Sequence, residues 1–159
     1  MILYHGSCVE VREPRLLECQ RALDFGSGFY TTTDREQASR WAKRVAWRLK
    51  SGNALVNVYE VDEDAMGILK VLSFPAPDAK WLRFVAPNRR HQAVAGQWDI
   101  IHGPVADDQT SAVIDLFITG MYDEEEAARR LLPMRLSDQW TFKTQGALGI
   151  LRFVEAVKA

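Results

Sequence analysis

Little in this chain of 159 residues announces a compartment or a standard chemistry, and each shortage narrows the field. Cysteine is scarce. Cys8 and Cys19 share one early loop region without metal-ligand spacing, so they read as reduced thiols, and the pattern neither requires nor forbids a disulfide. Charge of one sign is missing too: 20 basic and 21 acidic residues leave a net charge of -1. That balance gives no global attraction to nucleic acid or to an anionic membrane, although a local basic face stays open. No apolar run approaches membrane-spanning length, and the first residues lack the basic, apolar, small-residue order of a secretory leader. The cytoplasm is the expected compartment, with no membrane partner. The histidines, His5, His91 and His102, are scattered without metal spacing, so no metal is expected. A Walker phosphate loop, a Gly-x-Gly-x-x-Gly helix start, a His-Glu-x-x-His pair and a nucleophile elbow are all absent. So are repeats, low-complexity linkers and composition breaks. With 47% hydrophobic and 26% charged residues, the chain reads as one domain over 1–159 with a substantial core.

What is present is organised around Asp24-Phe25-Gly26-Ser27-Gly28-Phe29-Tyr30-Thr31-Thr32. Two glycines supply backbone freedom, and the aromatic and threonine run behind them favours a strand. Upstream, the strand-like Ile2–His5 runs into Gly6-Ser7 with an imidazole at its end. Loops of this kind bring main chain close to a ligand and fix a ring beside it.

The remaining pattern predicts alternating elements. After one helical turn around Arg15–Ala22 and a strand Phe29–Thr32, Asp34 caps a helix to about Lys50, with Gln37 at the capping-box position and Gly52 as the stop. Ala38, Trp41, Ala42, Val45 and Leu49 recur at helical spacing and are expected to face the core. Arg40, Lys43, Arg44, Arg48 and Lys50 lie on the other side, as solvated surface or as a contact for an anionic partner. Strands are expected at Leu55–Val61, Ile68–Leu72, Trp98–His102 and Trp140–Lys143. Helices are expected over Pro77–Val85, from Asp107 or Asp108 to about Gly120, over Asp123–Leu132, and after Thr144 with Leu148, Leu151 and Phe153 packing inward. Asn88-Arg89-Arg90-His91 reads as a polar loop or helix end, and Trp41 and Trp98 as core. Irregular alternation of strands and helices makes the class α+β.

The order of motifs carries more than any one of them. Tyr4-His5-Gly6-Ser7, the Asp24–Thr32 stretch and Ala38-x-x-Trp41-Ala42 together resemble the NAD-binding half of an ADP-ribosyltransferase. More narrowly, the chain is similar to a bacterial family of uncharacterised domains assigned to that fold. Its members share the Phe-Gly-x-Gly-Phe-Tyr loop, a Gly-Pro-Val-Ala segment (here Gly103–Ala106) and a late Asp-Gln-x-x-Phe-x-Thr (here Asp138–Thr144). The resemblance implies two small, mostly antiparallel sheets forming a cleft, with helices outside. It implies a diphtheria-toxin-like triad of His5, Tyr30 and Gln139. His5 would meet a hydroxyl of the nicotinamide ribose, Gly6 would offer peptide groups to the carboxamide, and Tyr30 would stack on the nicotinamide ring. Further NAD contacts would come from Ser7, Phe25, Gly26, Gly28, Phe29 and Thr31.

The implied function is mono-ADP-ribosyl transfer from NAD, as substrate, to a protein or nucleic-acid acceptor, with no metal. A bacterial toxin or defence setting, with an antitoxin protein as partner, follows from the same resemblance. Gln139 departs from a catalytic carboxylate, because an amide can orient a ribose but cannot deprotonate an acceptor or supply a full negative charge. This leaves an acceptor that is already nucleophilic, a base from elsewhere (Asp138 and Asp108 are the nearest candidates), or a non-catalytic NAD-binding fold. Arg89 and Arg90 could neutralise a pyrophosphate or face solvent, and Lys143, near Gln139, could point to solvent. Taken singly, His5 is a strand-end histidine, Tyr30 a packing aromatic, the glycines a tight turn, and Gln139 a surface residue.

Overall fold

The computed structural model describes residues 1–16, 23–92, 94 and 96–159. The helical turn expected around Arg15–Ala22, and Cys19 with it, lies almost wholly outside the described residues. The described chain is α+β, with two mostly antiparallel sheets. β1 (Ile2–Ser7), β3 (Leu55–Val61) and β7 (Leu151–Lys158) form a three-stranded sheet in that order. β2 (Phe29–Thr31), β6 (Asp138–Phe142), β5 (Ile100–Pro104) and β4 (Val71–Ser73) form a four-stranded one. Only β4 and β5 run parallel among these pairs.

The described helices are α1 (Arg35–Arg48), α2 (Glu63–Met66), α3 (Ala79–Arg89), α4 (Asp108–Ile118), α5 (Glu124–Leu131) and α6 (Gln145–Leu148). All but α6 start from an aspartate cap: Asp34, Asp62, Asp78, Asp107 and Asp123 each accept a first-turn amide, and Thr144 does the same for α6. The capping box at Asp34 is only half formed. Gln37 Oε1 lies 3.3 Å from the Thr32 hydroxyl, and the Asp34 amide donates to Thr32 Oγ1 instead.

The four-stranded sheet is the middle layer, and strand alternation sorts its side chains. Phe29, Ile100 and Phe142 turn toward the three-stranded sheet and meet Leu3, Tyr59 and Leu151. Ile101 and Tyr30 turn the other way, into a second cluster with Phe25, Phe74, Trp81, Leu82 and Val85 beneath α3, α4 and α5.

Two expectations are corrected here. The segment after Thr144 is helical for only four residues; Gly149 ends it, and Leu151–Lys158 is a strand paired with β3. Leu148 and Leu151 stand at helical spacing, but Leu151 and Phe153 are two apart, Val154 and Val157 favour the pleat, and β3 supplies the edge it needs. On α1 the buried positions are Ala38, Ala42 and Ala46, whereas Trp41 is 42% exposed and Leu49 60% exposed. Small residues are needed because α1 lies directly on β1. A Cβ on Gly6 would stand 2.2 Å from Ala38 O and 2.8 Å from Ala42 N.

Candidate functional site

β1 and β2 belong to different sheets and touch at one point. Tyr4 and Thr32 exchange both backbone hydrogen bonds, at 2.8 and 3.0 Å. Beyond this bridge the strands part, and His5 spans the gap: its Nδ1–H donates to the Tyr30 carbonyl at 2.7 Å. Peptide groups of successive residues point to opposite strand edges, so those of every second residue share one edge. Tyr4 spends its groups on Thr32, so the N–H and C=O of Gly6 face the same opening. The glycine is required by α1 behind it.

The His5 ring stacks on Phe29, centroids 4.4 Å apart and 28° between planes. Burial lowers its pKa below the ordinary histidine value, partly opposed by the bond to Tyr30 O. A neutral imidazole whose Nδ1 carries the proton presents a lone pair at Nε2, and no partner meets that atom among the described residues. Ser7 follows at the strand end, where its hydroxyl accepts from Val9 N at 3.3 Å.

The face of the four-stranded sheet that carries Phe29 continues along β6 and β5. Trp140 and His102 stack with centroids 4.0 Å apart, and Asp138 stands beside them, its Oδ2 accepting from Trp140 Nε1 at 2.9 Å and 3.6 Å from His102 Nε2. Asp138 Oδ1 accepts from the Thr32 hydroxyl, the Thr33 amide and the Thr33 hydroxyl, at 3.0, 3.0 and 2.9 Å. Burial would raise this carboxyl, but the neighbouring His102 imidazole and the hydrogen bonds from Thr33 and Thr32 outweigh it and hold Asp138 ionised far below the usual carboxylate range. Register places Trp140 opposite both Thr31 and His102, so these side chains share the face of the sheet that carries Phe29.

Tyr30 and Gln139 lie on the other face. The Tyr30 hydroxyl donates to Gly26 O at 2.6 Å and accepts from Phe25 N at 3.1 Å, closing the glycine loop on itself. Gly26 permits this at φ 72°, and Gly28 lets the loop pass over β6, where a Cβ would stand 2.6 Å from the Thr141 methyl. Gln139, 5% exposed, donates through Nε2 to Asp24 Oδ2 at 3.1 Å and to Pro104 O at 3.3 Å. Asp24 in turn receives Arg89 Nε at 2.8 Å and the Ala106 amide at 2.8 Å. Arg89 also donates to Ala106 O and Ser111 Oγ. The loop, the Gly103–Ala106 segment and the late Asp-Gln motif therefore converge as one buried polar network.

The predicted set is thus divided. The structure brings His5, Gly6 and Phe29 together at the opening, with Tyr30 contributing its carbonyl there and its phenol elsewhere. Gln139 is not surface. Phe25 is 1% exposed in the helix-side core, and Thr31 is buried with its hydroxyl on Trp140 O at 3.2 Å. Both complete packing that the loop and sheet require. Arg89 is neither solvent-facing nor free for a pyrophosphate, since Asp24 holds it. Trp98 is partly buried against the helix-side cluster, and Lys143 turns inward, its ammonium 2.5 Å from Phe25 O. Burial there lowers the Lys143 pKa. That ammonium borders a cavity of about 350 Å³ lined by Phe25, Phe84, Asn88 and Trp98, away from His5.

Sequence reasoning missed the pairing of His102 with Trp140. Alternation groups Asp138, Trp140 and Phe142 on one face of β6, but only the pairing of Phe142 with Phe29 and of Trp140 with His102 shows which face that is.

Residues 1–153 match a family described as "Protein of unknown function (DUF3990)". No curated protein and no solved structure matches the chain.

Proposed function

The chain belongs to this family over nearly its whole length, and we propose that it binds NAD in the opening between β1 and β2 and transfers ADP-ribose to a macromolecular acceptor. One observation carries the reading: where β1 and β2 part, His5 bridges to the Tyr30 carbonyl with its Nε2 unpartnered among the described residues, and the peptide groups of Gly6 lie on the strand edge that faces the same opening. In this pose the Gly6 N–H and C=O meet the carboxamide of nicotinamide, and His5 Nε2 accepts from a ribose hydroxyl. In the transfer itself, the bond between ribose C1′ and the nicotinamide nitrogen breaks, and its electron pair leaves with nicotinamide. The sugar passes through an oxocarbenium-like state, an acceptor lone pair closes on C1′, and the acceptor loses a proton. Negative charge near the sugar favours that state. Asp138 is an ionised carboxylate on the Phe29 face of the four-stranded sheet, held at the Thr32–Thr33 end of the bridge, and in this proposal it takes the role first given to Gln139. An ADP-ribosyltransferase-like fold, a toxin or defence setting and an antitoxin partner belong to the same proposal.

A second reading keeps the pocket and drops the chemistry. It is favoured by Gln139, whose amide is committed to Asp24 and Pro104 on the far face. The two are separated by calorimetric titration of NAD into wild type and folded His5→Ala, followed by incubation of wild type and Asp138→Asn with labelled NAD in a cell lysate. Binding lost in His5→Ala and label transferred by wild type but not Asp138→Asn is the expected result. Binding without any labelled acceptor selects the second reading. Absence of NAD binding by wild type, well above cellular concentrations, refutes both.

A further inference from the structure

Apart from one ion pair to α4, the outward side of α1 makes no packing contact with the core among the described residues and takes no part in the proposed pocket. From Arg35, at the helix start, to Lys50, just past its end, six cations and one carboxylate give +5 in a chain whose net charge is -1, so the remainder carries -6. Arg40, Lys43, Arg44 and Arg48 are the cations on the outward side. All six cations are exposed. Arg40 reaches Asp34 and Glu36 only loosely, at 3.8 and 3.7 Å, and Arg44 pairs with Asp108 at 3.0 Å. Lys43, Arg48 and Lys50 have no ion-pair partner among the described residues. Trp47 stands in the middle of this surface, 84% exposed. Lys43 and Arg44 precede it by four and three residues, so they are its neighbours one turn up the helix. The alanine stripe that packs on β1 is on the opposite side.

From this juxtaposition we propose that the outer face of α1 binds single-stranded nucleic acid, the cations tracking phosphates and Trp47 stacking on an unpaired base. The inference is independent of the NAD pocket. An indole ring projecting from a row of cations is the combination that single strands use, because every base has a face to stack and every nucleotide a phosphate to neutralise. A duplex hides its base faces. An anionic membrane calls for a continuous apolar stripe in the interface plane, and here the apolar stripe of α1 is spent on β1 while the outer face interleaves its aromatic with charge. Concentrating the cations on one element of an otherwise acidic chain also orients the strand along that helix.

The test is fluorescence anisotropy with labelled single-stranded RNA and DNA of about 16 mixed-sequence nucleotides, a duplex of the same sequence, and anionic phosphatidylserine vesicles, each titrated across salt. Proteins are wild type, Trp47→Ala and the triple variant Lys43→Gln, Arg44→Gln, Arg48→Gln, with folding checked by circular dichroism. Wild type is expected to bind a single strand in about 50 mM salt with affinity falling as salt rises. The triple variant should lessen the slope of log affinity against log salt by about 2, the value for three phosphate contacts on a single strand. Trp47→Ala should weaken binding roughly 5- to 150-fold, the loss of one stacked base, with the slope unchanged. With those two losses seen, a preference for RNA over DNA, or the reverse, names the ligand, whereas no single-strand binding by wild type in about 50 mM salt overturns the proposal. Single-strand binding untouched by folded Trp47→Ala and the triple variant overturns it. So does duplex binding equal to single-strand binding, or capture by vesicles alone.

Discussion

The amide of Gln139 donates to Asp24 Oδ2 at 3.1 Å, and the same carboxylate receives the Arg89 guanidinium at 2.8 Å. This relationship explains why position 139 carries an amide. Both groups facing its nitrogen, Asp24 and the Pro104 carbonyl, are acceptors, and a carboxylate could donate to neither.

Gln139→Glu is therefore expected to destabilise the protein by about 1–3 kcal/mol at neutral pH, through two lost donations and a like charge against Asp24. Burial and that neighbour raise the new carboxyl above its ordinary range in the folded state. The folded variant then binds more protons than the unfolded one, so its deficit against wild type is smallest in acid and grows as pH rises from about 4.3. Urea midpoints of both proteins across pH measure this. Equal midpoints at neutral pH contradict it.

Asp24 and Arg89 form the ion pair at the centre of the network, with side chains 9% and 19% exposed. Removing only the cation leaves a buried carboxylate whose strongest partner is gone. Arg89→Met is expected to cost about 3–5 kcal/mol, and Asp24→Asn combined with it less than the sum of the two single changes. A double-mutant cycle by chemical denaturation reads the coupling. Strict additivity would show that Ala106 and Gln139 satisfy Asp24 unaided.

The elements were largely legible because their signals are local: aspartate caps, β-branched runs, and Gly or Pro stops. The side to which each strand turns its residues was not. Tyr30 and Gln139 stand out as polar residues at strand ends, yet a shift of one position separates the helix face from the face that meets the other sheet. Phe29, at 6% exposure, fixes that parity for β2, and register carries it to Trp140 and Asp138. The inward turn of Arg89 depends on Asp24, 65 positions away, and no spacing rule in a single sequence reports such a pair. On α1 the larger apolar residues drew attention, whereas close contact with Gly6 selects alanine.

That contact makes Gly6→Ala a sharp test of packing. The new Cβ meets the backbone of α1, which cannot rotate away as a side chain can. Expected destabilisation is about 1–3 kcal/mol. Gly52→Ala is the control, since nothing lies within 4 Å of its Cβ position, and a change within about 0.5 kcal/mol is expected there. Thermal midpoints of the two variants should separate clearly; overlapping midpoints would mean that α1 rides on β1 with slack.

His5 ties the two sheets through its Nδ1–H and carries a pKa lowered by burial. The unfolded chain holds this imidazole near about 6.5, so between that value and the lower folded one the unfolded state binds more protons. Stability from a neutral His5 is then complete above about 6.5 and declines as pH falls toward the folded pKa. His5→Asn keeps a side-chain N–H for the Tyr30 carbonyl and has no group that titrates there. The stability difference between wild type and His5→Asn should therefore shrink on acidification through this window, read from urea midpoints at closely spaced pH values. Protonation also removes the Nε2 lone pair, so NAD binding in the proposed pose should weaken over the same window in which the imidazole titrates by nuclear magnetic resonance. A stability difference that stays constant with pH would mean that the opening between β1 and β2 leaves the ring hydrated and its charge unpenalised.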